Sequence, residues 1–435
     1  MGNSDRGLKR RLVVVSLDAV GRRDMEFMLS LPNFSAIVKD GFFCDRVYSV
    51  YPSLTYPAHT SIVTGRKPSE HGIVNNTLLQ PGRKTPDWLY KRKYINGRTL
   101  YDVAKKNGYT VASLLWPVTG GAKIDYNLPE IMVTRRFQNQ VISCLRNGTP
   151  GYLLKLNSKF GSMRDGINQP ALDNFVMASA EYTIKEHDPD LIFIHLTDVD
   201  TNRHIFGATA PEITEALKRH DERLGKIREW IEEIGGLKNT SLIVLGDHCQ
   251  IDASRITYLN TCLKERGFLS VKDGKITEAK AITKSCDGSA YVYIDDRYAQ
   301  DESFLEALAD ALNEMKADER LGIEEIYTGA EAAEMGADSQ CFAMIEGKKG
   351  FYFLDETDVV SESVEETKNH KMRAIHGCSP LKEENITFFA AVGAGIKKGA
   401  RKESMHLWDE GPTMAKLMGF NLPGAEGTVV TELLE

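Results

Sequence analysis

The sequence predicts an α/β fold, a mostly parallel sheet flanked by helices, on two observations. Short β-branched runs bounded by polar turns recur along the chain, and amphipathic stretches with helical spacing lie between them. That alternation is the pattern of strands covered by helices. Leu12 to Leu17, Thr110 to Leu115, Leu191 to Leu196, Ser241 to Leu245 and Thr387 to Val392 read as buried strands. Met25 to Lys39, Leu100 to Asn107, Pro170 to Glu186 and Pro211 to Ile234 read as helices. The last opens on a proline, whose fixed φ and missing N–H suit a first helical turn.

From residue 277 to 368 the pattern changes to a strand (Ala290 to Tyr293), a helix (Glu302 to Met315) and extended pieces around Ile326, Phe342 to Ile345 and Phe351 to Leu354. This reads as an inserted α+β cap. The core is then 9–276 together with 369–435. A chain of 435 residues has room for one core of roughly 250 to 300 residues and a further unit of about 100 to 150.

Composition narrows the function classes. With 42% hydrophobic and 26% charged residues, the chain reads as a soluble globular protein, neither membrane-embedded nor disordered. Its 54 basic and 61 acidic residues give a net charge of −7, with no Lys/Arg run long enough to follow a nucleic-acid backbone. Polymeric nucleic acid and membranes are therefore not expected partners. Seven scattered cysteines without a CxxC pair fit a reducing compartment and exclude a thiol zinc finger. Lys9-Arg10-Arg11 before Leu12 to Val15 imitates a signal peptide, but the apolar run stops at Asp18 and no small-residue cleavage site follows. Arg6 breaks the myristoylation pattern of Met1-Gly2. The expected location is the cytoplasm.

Open α/β sheets bind ligands beyond the carboxyl ends of their strands, and here those ends carry Asp and His. Leu12 to Leu17 ends in Asp18, Leu191 to Leu196 runs into Asp198-Val199-Asp200, and Ser241 to Leu245 ends in Gly246-Asp247-His248. A later loop carries His376-Gly377. His and carboxylate without thiols is a donor set for zinc or a neighbouring divalent ion. Asp200 and His204, four apart, project to one side if the stretch is helical, whereas Asp198 and His204 do not. Using Asp247 and His248 together requires a turn directly after Gly246. Each residue alone has an ordinary reading: Asp18 as a cap or turn residue, His376 as a surface histidine.

The segment from Tyr51 to Asn76, with Tyr51-Pro-Ser-Leu-Thr55-Tyr56-Pro-Ala-His59, Ser61-Ile-Val-Thr-Gly65 and His71-Gly-Ile before Asn76, adds a nucleophile. It resembles the nucleophile block of the nucleotide pyrophosphatase/phosphodiesterase family of the alkaline phosphatase superfamily. The resemblance implies an alkaline-phosphatase-like core. It implies Thr55 as a nucleophile that becomes phosphorylated and Asn76 as an amide holding a phosphoryl oxygen. It implies Asp200, His204 and His376 as ligands of one metal ion and Asp18, Thr55, Asp247 and His248 as ligands of a second, with zinc the expected ion. Tyr56 matches an aromatic that stacks on a nucleobase, and Trp116-Pro117 resembles a Trp-Pro-Gly element lying between these motifs.

Physical chemistry agrees with that set. Two divalent ions against three carboxylates and a threonine alkoxide leave the site about neutral, so an anionic ester is not repelled. A metal activates the otherwise weak threonine hydroxyl, and a second ion stabilises the leaving oxygen. The resulting reading is a two-metal phosphodiesterase or nucleotide pyrophosphatase acting on small phosphodiesters. The alternative is a carbon–phosphorus bond hydrolase similar to phosphonoacetate hydrolase, taking a phosphonate. Cys249 and Cys378 depart from the family's usual Gly and Tyr and read as small buried side chains. Gly393-Ala-Gly395 to Gly399 imitates a dinucleotide fingerprint, but its third glycine is one residue late and no βαβ unit follows. The other histidines, 59, 71, 187, 195, 220, 370 and 406, read as structural or exposed, although His59 and His71 lie where they can buttress the block.

Overall fold

The computed structural model describes residues 10–367, 370 and 372–435. An eight-stranded sheet forms its centre, in the order Met405–His406, Phe42–Tyr48, Thr387–Gly393, Thr240–Leu245, Arg11–Leu17, Leu191–Leu196, Val111–Leu114 and Tyr126–Leu128. Arg11–Leu17 is parallel to both neighbours, pairing Val13 with Ile192 and with Leu242. Thr387–Gly393 runs antiparallel between Thr240–Leu245 and Phe42–Tyr48.

Alternation along the central strand explains the layers. Val13, Val15 and Leu17 enter one apolar cluster, and Leu12 and Val14 enter the other, because successive side chains point to opposite faces. The first face is covered by Ala171–His187 and Pro211–Glu233 among others, through Phe175, Val176, Ile184, Leu224 and Ile227. Thr55–Thr64, Leu100–Lys106 and Glu410–Leu417 cover the second. Among the described residues no helix is long and apolar enough to cross a membrane.

One expected helix is divided, and one expected boundary lies in a packed region. The helix expected over Met25 to Lys39 is two, Met25–Ser30 and Pro32–Asp40, separated at Leu31 with φ −87° and ψ 145°. Pro32 is the cause, since a proline ring disfavours the helical conformation in the residue before it. The cap boundary expected at 277 falls inside one apolar cluster. Leu259, Cys262, Leu263 and Leu269 pack with Ala281, Ala290, Leu308 and Ile345, and Phe351–Phe353 pairs in parallel with Arg255–Thr257. The four strands Ala281–Ser285, Ser289–Ile294, Ala343–Gly347 and Ile323–Thr328 form an antiparallel sheet, covered by the helix Glu302–Ala317. The boundary expected between 368 and 369 lies outside the described residues, as do Lys9 and the Met1 to Arg6 segment.

A buried ion cluster fixes the helix Asp198–Phe206, which carries two of the predicted ligands. Asp173 accepts from the backbone N–H groups of Thr197 and Asp198 at 3.0 and 3.2 Å, a cap supplied by a neighbouring helix. Arg223 joins Asp173 at 3.1 Å to Asp198 at 2.9 Å, and Arg219 grips Asp198 through two hydrogen bonds of 2.7 Å. Asp198 thus faces the cluster, away from His204. Replacing Arg223 by Ala strips a counter-charge from two wholly buried carboxylates. We expect the loss to cost about 3–5 kcal/mol, read as a lower urea midpoint at unchanged m-value.

Candidate active site

Parallel strands deliver their carboxyl ends to one edge, and there the predicted residues meet. Arg11–Leu17 leads to Asp18, Leu191–Leu196 to the helix bearing Asp200 and His204, and Thr240–Leu245 to Asp247 and His248. The turn required after Gly246 is present. A Cβ on Gly246 would collide with Thr387 Oγ1 and the Val20 carbonyl, so only glycine lets the chain swing there. His376 arrives from the loop before the antiparallel strand. Gly377 follows it in the left-handed region at φ 76°, where a Cβ would collide with the Cys286 carbonyl.

Two triplets of ligand atoms each lie within 4.8 Å of one another: Asp18, Asp247 and His248, and Asp200, His248 and His376. His248 belongs to both, in contrast to the expected division that gave it to one set. Its Nε2 is 3.5 Å from Asp18, 3.2 Å from Asp247 and 3.1 Å from Thr55 Oγ1. His204 Nε2 stands 3.4 Å from Asp200 Oδ1, while its Nδ1 donates to the Ala374 carbonyl at 2.8 Å. Asp200 and His204 are therefore side by side on one helical face, as their spacing requires.

Thr55 opens the helix Thr55–Thr64, at the positive end of the helix dipole, where negative charge is favoured. Asn76 lies beside it, accepting from the Tyr56 N–H through Oδ1 at 2.9 Å. Both Thr55 and Asn76 line a cavity of about 1020 Å³, together with Asp18, Asp200, His204 and His376.

Electrostatics show what this cluster lacks. Burial and the charge of Asp200 push Asp18 up to about 7, while burial and Asp18 hold Asp247 well above the carboxylate range. Burial opposes ionisation of His204 and Asp200 as well, but their mutual attraction raises His204 to about 9 and lowers Asp200. Burial and neighbouring His376 hold His248 well below its ordinary value, and burial lowers His376. Asp18 Oδ1, Asp247 Oδ2, His248 Nδ1 and His376 Nδ1 are buried without a hydrogen-bond partner. Nitrogen and oxygen donors in this state fit one or more divalent cations.

Both residues expected at the substrate, Tyr56 and Trp116, are buried. Tyr56, expected to stack on a base, is wholly buried and sends its hydroxyl toward Glu130 at 3.4 Å. Trp88 packs edge-on against it at 5.2 Å and takes its place on the cavity wall. Trp116 is also wholly buried, pressed on His59 and Phe193. It supports the site from behind because the left-handed Leu115 before it turns the chain inward at φ 57°.

Other residues at the site were read as bystanders or not singled out. His195 donates from Nε2 to Asp18 at 3.0 Å and from Nδ1 to the Leu115 carbonyl at 3.1 Å. Burial disfavours its charge, yet hydrogen bonds to Asp18 and Glu130 hold it well above the usual histidine range. A histidine inside an otherwise apolar buried strand was its signal. His59 donates from Nδ1 to the Thr55 carbonyl at 2.8 Å and meets Ser16 Oγ through Nε2 at 2.9 Å, confirming its place as a buttress. The insertion reaches the site too: Asn75 donates to the Ser285 carbonyl at 2.9 Å, and Asp287 Oδ2 lies 3.8 Å from His376 Nδ1. Cys249 and Cys378 are buried free thiols, the former accepting from Arg203 at 3.0 Å.

Comparisons with known proteins converge on one family. The family model for type I phosphodiesterase/nucleotide pyrophosphatase matches residues 12–378. Human ectonucleotide pyrophosphatase/phosphodiesterase family member 1 is 24% identical over 242 residues, 54% of this chain and 23% of its own length. Venom phosphodiesterase of Macrovipera lebetinus is 24% identical over 262 residues, 57% of this chain and 27% of its own. The matches thus span about a quarter of the length of these curated relatives. Murine ectonucleotide pyrophosphatase/phosphodiesterase 5, solved as an inactive threonine-to-alanine form in complex with AMP, superposes with a TM-score of 0.67 at 19% identity, covering 98% of this chain and all of that one. The human form of that protein gives 0.68 at 18%. The chain belongs to the type I phosphodiesterase/nucleotide pyrophosphatase family and shares the α/β fold of the ectonucleotide pyrophosphatase/phosphodiesterase 5 structures.

Proposed function

We propose that this protein is a two-metal phosphodiesterase or nucleotide pyrophosphatase that cleaves small diesters through a phosphothreonine at Thr55. The observation that carries the reading is the position of Thr55 Oγ1, 3.1 Å from His248 Nε2 at a helix N-terminus and beside two Asp/His triplets. Asp200, His204 and His376 would hold one divalent ion, and Asp18, Asp247 and His248 a second next to Thr55, zinc being the ion their donor set suits. Such ions, when bound, lower the pKa of the nucleophile and stabilise a leaving oxygen.

The chain supplies the rest. The helix holds Thr55 at the wall of the cavity, and His59 fixes its backbone carbonyl. Attack by Thr55 Oγ1 on phosphorus forms the Oγ1–P bond and breaks the bond to the leaving group. Asn76, its Oδ1 occupied by Tyr56 N–H, has its amide N–H groups free to bind a phosphoryl oxygen. Water then returns the phosphoryl group to solution and restores the threonine. A cavity of about 1020 Å³ has room for both substituents of a diester. The AMP held by the murine relative supports a nucleoside monophosphate as one product. The relatives do not favour the carbon–phosphorus alternative.

The zinc-loaded protein is expected to have a higher kcat/KM for p-nitrophenyl thymidine 5′-monophosphate than for p-nitrophenyl phosphate. Preference for the monoester, or inertness on both, overturns the diester reading. Thr55→Ala is expected to lower kcat on the order of 10³-fold or more while elemental analysis still finds bound metal; near-native turnover removes Thr55 as nucleophile.

The raised pKa values set the pH response of the metal-free protein. Between pH 7 and 9 the folded state keeps protons on His204 and His195 that the unfolded chain releases near 6.5, so folding binds protons and stability falls as pH rises. Asp18, raised to about 7, acts in the same direction up to that pH. A thermal melt in chelator is expected to show Tm lower at pH 9 than at pH 7, and added zinc to raise Tm more at pH 9 than at pH 7. A flat or rising chelated profile contradicts the assignment.

A further inference from the structure

We propose that the surface built by residues 135–146, with 163–167 beside it, docks on an anionic lipid surface and turns the mouth of the cavity toward it. The inference does not rest on the phosphodiesterase reading, since docking and turnover are separable.

Charge gives the first observation. Residues 135–146 and 163–167 contain Arg135, Arg136, Arg146 and Arg164 against one acid, Asp165, in a chain of net charge −7. The second is exposure. Among the described residues, six of the thirteen exposed large apolar side chains fall between 137 and 167. The helix Gln140–Asn147 buries none of its residues, touching the core only through partly buried Cys144 and Leu145. Outward it shows Val141, 63% exposed, and Ile142, 48%, with Phe137, 81%, just before it. A short surface helix with apolar residues outward and arginines at its flanks has the composition of an interfacial helix, whose apolar side chains enter the headgroup boundary.

Continuity with the cavity is the third observation. Gln140 and Cys144 of the same helix line the cavity, and so do Arg164 and Ile167. The patch therefore borders the cavity. Arg135 is already paired with Asp87 and lies 6.0 Å above the Phe137 ring, leaving exposed Arg136 and Arg146 as the cations for lipid phosphates. A polynucleotide would use the cations but nothing of the Val141 and Ile142 surface. A second copy meeting this face across a two-fold axis would set its Arg136 and Arg146 against the same unpaired cations.

Co-sedimentation of the full chain with phosphatidylcholine vesicles containing roughly a third phosphatidylserine tests this, with pure phosphatidylcholine as the comparison. Binding to the mixed vesicles that weakens with salt is expected. Two double variants, F137S/I142S and R136Q/R146Q, should each bind at least about tenfold more weakly, with hydrolysis of a soluble ester and the melting temperature unchanged. Failure of the unaltered protein to bind mixed vesicles at low salt overturns the proposal. So does binding that neither variant weakens, or a dimer in gel filtration that the variants dissolve.

Discussion

Buried like charge at one sheet edge is the constraint on which the site depends. Asp18 and Asp247 are almost wholly buried with ligand oxygens within 4.8 Å of a shared histidine nitrogen and of each other. Two negative charges that close repel by at least about 3 kcal/mol at an effective dielectric near 20, beyond the cost of burying each. The chain answers part of this with His195, whose two ring nitrogens both meet acceptors. Asp18 Oδ1 and Asp247 Oδ2 stay buried without a hydrogen-bond partner, so added positive charge would relieve the edge. Stability, metal affinity and proton binding are thus one linked equilibrium.

Holding such a cluster demands a stiff frame, and the frame is built from ordinary packing. Three parallel strands fix three backbone exits, and close-packed layers on both faces leave them little freedom. Where a regular element would aim a residue wrongly, local chemistry corrects it. Glycine at 246 admits the turn, and the ion cluster around Asp173, Asp198 and Arg223 anchors the helix that bears Asp200 and His204.

Strand ends are the reason so much was legible in the sequence. A buried parallel strand reads as an apolar run, and the polar residue that ends it must lie at the edge where ligands bind. That logic reached Asp18, Asp200, Asp247 and His248 from pattern alone, and the Asp200 to His204 spacing held because the segment is helical. His195 escaped because it lies within a strand, where a histidine reads as satisfied core. Packing across residue 277 left no local signal for a different reason. The insertion's apolar cluster recruits Leu259 to Leu269, a three-dimensional contact with no mark in local periodicity. Pro32 did carry a mark, and the break at Leu31 follows from it.

Tyr56 shows where motif and environment part. Its place after Thr55 gives it the sequence position of a base platform, yet its exposure is set by what folds over it, and Trp88 comes from a loop some thirty residues on. Loops around Trp88 and Glu130, and the insertion near Asp287, build the cavity wall, while the strand ends build its floor. Substitutions on such loops change shape and charge without touching sheet packing. Tyr56 is enclosed with its hydroxyl turned to Glu130, so Trp88 and Glu130, not Tyr56, face the cavity there. The lining of the cavity thus comes from loops as well as from the block around Thr55.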